Sequence, residues 1–327
     1  MRALAATAVY EHPVHSMILD IDDPVWATRF NQEERKEIKL YRGQEFVALP
    51  PPNMEDCLEG FNKNWKSGVA LFDYASSLKY HPVHQYDEDW VKNAMLDVSR
   101  LFLKQNGLNM NDSSEADLLL KVWPFLYKLY EQGEIEAKLG ERCSVASAIA
   151  RNDRLSLEAE QKRARKIVSA KVDVLCKYVQ VELGCCEVGK NGITVVNDKY
   201  LEDGYMQLPK TLKDMLCVQI TNNPDKANNL RTFGFLVTGL NVQVLIVDVP
   251  CASSITRITR SATFPFPQDI TEIASDFIPL LEITWKVKQE MLANTKSLQD
   301  KKRKAAALYV DDGEGRSAKV PFSFARH

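Results

Sequence analysis

The stretch KVDVLCKYVQVELGCCEVGK, residues 171–190, decides the interpretation of the fold. It contains two runs rich in β-branched and apolar residues, Val-Asp-Val-Leu-Cys and Val-Gln-Val-Glu-Leu, which predict two adjacent β-strands. Asp173 interrupts the first run, and Glu182 and Glu187 interrupt the second and its continuation. Because an unpaired buried carboxylate is costly, acidic residues at such positions indicate a partner or a function.

The sequence that follows this stretch alternates between helical and strand patterns. Residues 208–216 have apolar side chains at helical spacing, and residues 232–238 and 242–249 predict a hairpin of two buried strands. Residues 271–298 again have helical spacing, with a kink expected at Pro279. The sequence therefore predicts an α/β fold with a mixed sheet of four or five strands flanked by helices.

The N-terminal part of the chain has a different texture. It begins with residues 1–52, which end in three consecutive prolines and predict an extended segment. Residues 53–140 have helical spacing, with a kink expected at Pro124 and a charged turn or short helix over residues 130–140. The predicted organisation has four parts, in order an extended segment, a helical region, an α/β domain and a disordered basic tail: residues 1–52, 53–140, 141–298 and 299–327.

The composition excludes several classes of protein. The 327 residues carry 42 Lys and Arg against 44 Asp and Glu, and 45% are hydrophobic, which are ordinary globular fractions. No window reaches the roughly 18 apolar residues that a membrane span needs, so we expect a soluble intracellular protein. The seven cysteines form no CxxC pair, which argues against a disulfide framework and a thiolate zinc site.

Carboxylates on two neighbouring strands can converge on one divalent cation. Oxygen ligands suit Mg²⁺ or Mn²⁺, which would polarise a phosphodiester and activate water while a lysine stabilises the developing charge. The pattern therefore indicates nuclease chemistry at Asp173 and Glu187, with Glu182 either a third ligand or a structural partner. The alternative for Asp173 is an ion pair at the end of a strand.

A family resemblance points in the same direction. Asp173 on one strand, Glu187 on the next with Lys190 shortly after it, and a following helix resemble the PD-(D/E)XK nuclease superfamily. Within it, roughly residues 120–295 resemble a group of proteins from early-diverging, Mucor-like fungi. The resemblance implies a restriction-endonuclease-like sheet, with Asp173 and Glu187 as metal ligands and Glu141 completing the site.

The sequence departs from this superfamily at the lysine. The superfamily's Glu-x-Lys motif places both side chains on one strand face, whereas Gly189 holds the lysine position here and Lys190 lies one residue further on. A β-bulge at Gly189 would re-aim Lys190, or the amine would come from Lys199, Lys210 or Lys213. A nuclease-like fold that binds without cutting is therefore the competing interpretation.

Two basic clusters suggest nucleic acid as a partner. The first precedes the acidic strand and would neutralise phosphates, although a solvated helix face explains it equally well: Lys162, Arg163, Arg165 and Lys166. The second is Lys-Lys-Arg-Lys at residues 301–304, which is typical of a nuclear-localisation patch or a nonspecific nucleic-acid contact. Its alternative is a soluble helix end.

The motif His-Pro-Val-His occurs twice, at residues 12–15 and 81–84. Four imidazoles would bind zinc if the two copies met in space. The proline within each copy prevents both ligands from lying on one helix face, so two surface turns are the simpler interpretation.

We therefore predict a metal-dependent phosphodiesterase or nuclease-like protein that acts on DNA or RNA. Asp173 and Glu187 would bind Mg²⁺ or Mn²⁺, and Lys190 or Lys199 would stabilise the transition state. The alternative is a catalytically inactive nuclease-like fold that serves as a nucleic-acid- or protein-interaction module. The enzyme requires both carboxylates and a lysine within reach of one ion, whereas the module requires a packed sheet and an exposed basic face.

Overall fold

The structure is a computed structural model of the chain, and it describes residues 1–7, 11–43, 49–103, 113–153, 168–190, 204, 206–251, 254–299 and 320–323. These ranges contain seven β-strands and ten α-helices. Within them, no helix combines the length and the apolar character that crossing a bilayer requires.

The seven strands form one mixed, open sheet. They are, in chain order, β1 (Ile18–Asp20), β2 (Ile135–Cys143), β3 (Lys171–Tyr178), β4 (Val181–Gly189), β5 (Arg231–Thr238), β6 (Asn241–Asp248) and β7 (Thr256–Pro265). In space they follow the order β1-β7-β6-β5-β4-β3-β2. β1 is parallel to β7 and β4 is parallel to β5, while the other neighbouring pairs are antiparallel.

Helices cover both faces of this sheet. They are α1 (Arg2–Thr7), α2 (Gln32–Leu40), α3 (Pro52–Phe61), α4 (Gly68–Ser77), α5 (Tyr86–Leu101), α6 (Glu115–Lys121), α7 (Pro124–Lys128), α8 (Val145–Asn152), α9 (Leu208–Asn222) and α10 (Ile278–Gln299). One hydrophobic core joins one sheet face to α3–α7 and α10, and a second joins the other face to α8 and α9. The protein is therefore an α/β fold of three layers.

The strand and helix patterns on either side of the deciding stretch are confirmed. The four predicted strands are β3, β4, β5 and β6, and the hairpin turn contains Gly239 at φ 60°. The helix predicted from residue 208 is α9, which crosses over between the parallel strands β4 and β5. A strand–strand–helix–strand unit thus surrounds the predicted site.

The sheet has seven strands rather than four or five, because three strands carry weak local patterns. β2 is an edge strand in which only Ile135 is fully buried, so its residues resembled a charged turn. β1 has three residues. β7 contains Arg257 and Arg260, which interrupt its apolar pattern, yet both are buried in ion pairs.

The helix that was expected to kink at Pro124 is instead divided into two helices at this proline. α6 ends before Pro124, which begins α7, because a proline cannot donate the backbone hydrogen bond that a continuing helix needs. Near Pro279 the chain forms a π turn over Ile273–Phe277 before α10 starts, in place of a simple kink. Residues 1–52 are not simply extended, since α1, β1, α2 and two 3₁₀ turns form within them.

The predicted boundary at residues 140/141 falls inside β2. Helices before this boundary share a core with the sheet: Trp123 donates from Nε1 to the Gly239 carbonyl at 3.1 Å and lies against Phe266. Within the predicted C-terminal tail, residues 320–323 lie against α9, where the Ser323 amide donates to Asp214 at 2.9 Å. The rest of that tail, including residues 301–304, lies outside the described residues.

Candidate functional site

Asp173 lies near the start of β3, half-buried, and is bonded to the neighbouring strand. Its Oδ2 accepts a hydrogen bond from the Val188 amide of β4 at 2.8 Å. The ladder between β3 and β4 runs to Val174 and Cys186, so Asp173 and Glu187 each lie one residue beyond its last pair. The two acidic residues therefore lie at the same end of neighbouring strands.

Glu187 belongs to the sheet face that α9 covers. It is two residues from Cys185, whose side chain lies in the α9-side core, so the two side chains share one strand face. Glu187 also pairs in register with Leu236 of β5, which belongs to the same core. Burial raises the pKa of the Cys186 thiol well above its ordinary value, and the charges of Asp173 and Glu187 raise that pKa further. Both carboxylates thus act electrostatically on the same thiol.

Glu182 has a different role from these two residues. It is buried, and its carboxylate accepts hydrogen bonds from Ser144 Oγ at 2.7 Å and from the amides of Val145 at 2.7 Å and Ala146 at 3.2 Å. These amides begin α8, so Glu182 caps that helix from another element and complements its dipole. The structure places it as a structural partner, one of the two roles that its position in the strand suggested.

Glu141 is not brought to Asp173 and Glu187 by any described contact. It lies on the edge strand β2 with its side chain 72% exposed, and it forms an ion pair with Lys171 at 2.5 Å. The hydrogen bond from Lys171 lowers the pKa of the Glu141 carboxyl. The contact that the structure gives for Glu141 is therefore an ion pair with Lys171 at the protein surface.

Gly189 stands where the superfamily motif has its lysine, and the pairing of β4 with β5 has no bulge that would compensate for this. β4 pairs with β5 from Gly184 to Gly189 without a register shift, so the bulge that would re-aim Lys190 is not present in this pairing. Lys190 is exposed and follows the strand. Lys199 and the predicted phosphate contacts lie outside the described residues: Lys162, Arg163, Arg165 and Lys166.

Lys210 and Lys213 of α9 are engaged by the N-terminal segment. Lys210 forms an ion pair with Glu11, and the fully buried Lys213 donates from Nζ to the Ser16 carbonyl. Burial lowers the pKa of Lys213 to about 8. Their described bonds are therefore to this segment and not to Asp173 or Glu187.

The His-Pro-Val-His copies form local turns. His12 pairs through Nε2 with Asp23 at 2.9 Å, and its Nδ1 accepts from the Val14 amide. In the second copy the rings of His81 and His84 lie 4.4 Å apart. Among the residues that the structure describes, no group of three or more His, Cys, Asp or Glu is arranged to hold a metal ion.

Sequence reasoning missed a set of bonded polar side chains on the α9 side of the sheet, formed by Gln243, Arg260 and Asp20. Gln243 of β6 lies one strand beyond Leu236, the partner of Glu187, and its side-chain oxygen accepts from the Arg260 guanidinium at 3.2 Å. Arg260 also bonds to the buried Asp20 at 2.8 Å. Burial raises the pKa of Asp20, while Arg260 acts in the opposite direction. The available signal was the pair of arginines in the strand pattern Thr-Arg-Ile-Thr-Arg of β7.

No protein-family model, curated protein or solved structure matches this chain. The function of the protein is therefore inferred from the geometry of its own residues.

Proposed function

We propose that the protein is a metal-dependent phosphodiesterase of the PD-(D/E)XK type that acts on nucleic acid, with Asp173 and Glu187 as the ligands of Mg²⁺ or Mn²⁺. The observation that carries the proposal is the position of Asp173 and Glu187, each one residue beyond the last pair of the β3–β4 ladder, with Asp173 bonded to the Val188 amide of β4. The chain order supports it, since two antiparallel strands are followed by the crossover helix α9 and the parallel strand β5. This restriction-endonuclease-like arrangement is the finer fold that we infer.

The donor set suits a hard cation. Mg²⁺ is commonly bound by one or two protein carboxylates together with water and a substrate phosphate, so two carboxylates are sufficient. A bound ion would polarise the phosphodiester and lower the pKa of an attacking water. The Val188 amide holds Asp173 Oδ2 in place and so orients this carboxylate.

The test is nucleic-acid cleavage by the purified chain. Plasmid DNA, single-stranded DNA and RNA are incubated with Mg²⁺ or Mn²⁺, with the wild type beside Asp173→Asn, Glu187→Gln and the matched control Glu141→Gln. We expect cleavage that EDTA abolishes, that each of the first two variants lowers by at least about 100-fold, and that the control retains. Cleavage that survives both Asp173→Asn and Glu187→Gln would contradict the site.

A second candidate function is supported by Gly189. With glycine at the lysine position, the fold would bind nucleic acid or protein without cutting. A side chain has room at this position, because a Cβ on Gly189 would have the Val237 carbonyl oxygen as its nearest neighbour at 3.7 Å.

Gly189→Lys distinguishes the two functions. If the fold is an inactive nuclease, the variant should cleave at least about tenfold faster than the wild type, and Glu187→Gln in the same chain should remove the gain. Salt-dependent nucleic-acid binding by a wild type that does not cut would support the module. Unchanged, fast cleavage by both wild type and Gly189→Lys would favour the enzyme.

A further inference from the structure

A cavity of about 490 Å³ lies at the opposite end of the sheet from Asp173 and Glu187. It opens between α2, the edge strand β1 and the segment that leads into β7. Its walls are mainly apolar: Leu19, Phe30, Ile38, Tyr41, Pro250 and Ile255. Small-molecule sites commonly have volumes of about 300–1,000 Å³ and apolar walls with a few polar groups, so this cavity has the size and the lining of a ligand site.

Arg257 lies in the cavity wall and is already neutralised. Arg257 donates from Nε and NH2 to the two oxygens of Asp248, at 3.0 and 2.5 Å. Its NH1 donates to the carbonyls of Ile38 at 2.6 Å and Tyr41 at 2.7 Å, at the end of α2. A ligand anion would therefore have to compete with Asp248 and with these carbonyl oxygens.

Two carboxylates of α2, Glu34 and Glu37, also line the cavity, and both residues are exposed. Glu34 uses one oxygen to accept from the Asn31 amide at 2.8 Å. Arg42 lies over the Tyr41 ring at 5.6 Å and brings one positive charge to this end of the cavity. Among the described residues that line the cavity, Glu34 and Glu37 carry the charge that remains once Arg257 is balanced by Asp248, so the lining is negative.

We propose that this cavity binds an organic cation, an ammonium carried on an apolar body. The apolar body would pack between Phe30, Ile38 and Ile255, and the ammonium would point to Glu34 and Glu37. Charge complementarity favours the cation over an anion of the same shape. The site is independent of the carboxylate pair on β3 and β4, and its failure would leave the proposed phosphodiesterase unaffected.

The experiment uses two exposed thiols of the full chain. Cys251 lines the cavity and Cys143 lies at the end of β2, so Cys143 is an internal control for alkylation by iodoacetamide. The probes share an indole ring and differ in charge: tryptamine, 3-methylindole and indole-3-propionate. We expect saturating tryptamine to slow alkylation of Cys251 at least about threefold and to leave Cys143 unchanged, with weaker protection by the neutral probe and the weakest by the anion.

Two variants test the carboxylates. Glu37→Gln should reduce the preference for tryptamine over indole-3-propionate about fivefold, because it removes one negative charge next to the ligand. Glu33→Gln, on the same helix but outside the cavity wall, should retain the preference. Equal protection of both thiols, equal protection by amine and anion, or equal effects of the two variants would each overturn the proposal.

Discussion

Glu182 and Glu187 are five residues apart on β4, and both interrupt its apolar pattern, yet they have different surroundings. Glu182 accepts hydrogen bonds from one hydroxyl and two amides at the start of α8. Glu187, like Asp173 on β3, lies one residue beyond the last pair of the β3–β4 ladder. A carboxylate with three donors within a buried helix terminus stabilises the fold, because those donors would otherwise lose their solvent without a replacement.

We predict that Glu182→Ala lowers the free energy of unfolding by about 3 kcal/mol, since it leaves the first amides of α8 and the Ser144 hydroxyl without this acceptor. Urea unfolding followed by circular dichroism measures the change. The exposed Glu141→Ala is the control and should leave the midpoint unchanged. Equal midpoints for wild type and Glu182→Ala would show that the cap does not contribute.

At the scale of elements, the backbones of β4 and β5 approach so closely at Gly184 that a side chain has no room there. A Cβ on Gly184 would lie 2.1 Å from the Phe233 carbonyl oxygen and 2.8 Å from Met291 Cε. The carbonyl belongs to the paired backbone of β5, so it cannot move without breaking the parallel ladder that supports Glu187. This close approach explains why a glycine stands in the centre of a buried strand, where it is otherwise unfavourable.

Gly184→Ala should therefore lower the free energy of unfolding by about 3 kcal/mol or more, or prevent folding. Gly189→Ala in the same strand is the matched control, because its Cβ would have an ordinary contact at 3.7 Å, and it should change stability by less than about 1 kcal/mol. Thermal unfolding of the two variants compares them directly. Similar losses for both alanines would mean that strand entropy, and not the Phe233 contact, explains the glycines.

At the scale of the whole molecule, segments far apart in the chain cover the same helix. The N-terminal segment bonds to α9 through Lys213 and the Ser16 carbonyl, and residues 320–323 bond to it from the other end of the chain. The Cys217 thiol of α9 donates to the Pro321 carbonyl at 3.4 Å. Lys213, Asp214 and Cys217 of α9 are buried beneath these segments. Burial lowers the pKa of Lys213 and raises the pKa of Asp214 and of Cys217.

Asp214 of α9 should make stability depend on pH. Burial raises its pKa from 3.8 to about 6, although the Ser323 amide and hydroxyl oppose this shift. As pH falls, the folded protein takes up this proton before the unfolded chain does, so the stability from this group increases as pH falls through about 6 and is complete below about 3.8. At about 1.4 kcal/mol per pKa unit, ionised Asp214 costs roughly 3 kcal/mol at pH 7.

Asp214→Asn cannot ionise and retains an oxygen acceptor for the Ser323 amide. Relative to the wild type, we expect its unfolding free energy to increase by roughly 2 kcal/mol between pH 4 and pH 7, since part of the effect already exists at pH 4. Urea titrations at both values measure this change, and the exposed Asp225→Asn is the control. The same difference from wild type at both pH values would contradict the prediction.

The α/β class, the strands β3 to β6, the helix α9 and a disturbance of the helix at Pro124 follow from the sequence alone. In each case a local pattern records the burial of a face or the loss of a backbone donor. The sequence also singled out Asp173 and Glu187, because acidic residues within apolar strands are conspicuous.

The partners of those residues became clear from the three-dimensional structure alone. It assigned Glu182 to the start of α8, paired Arg257 and Arg260 with Asp248 and Asp20, and added β1, β2 and β7 to the sheet. It also formed the cavity beside α2 from segments more than 200 residues apart. A local pattern reports that a side chain is buried but not which distant group compensates its charge or hydrogen bonds, and that compensation distinguishes a ligand from a structural residue.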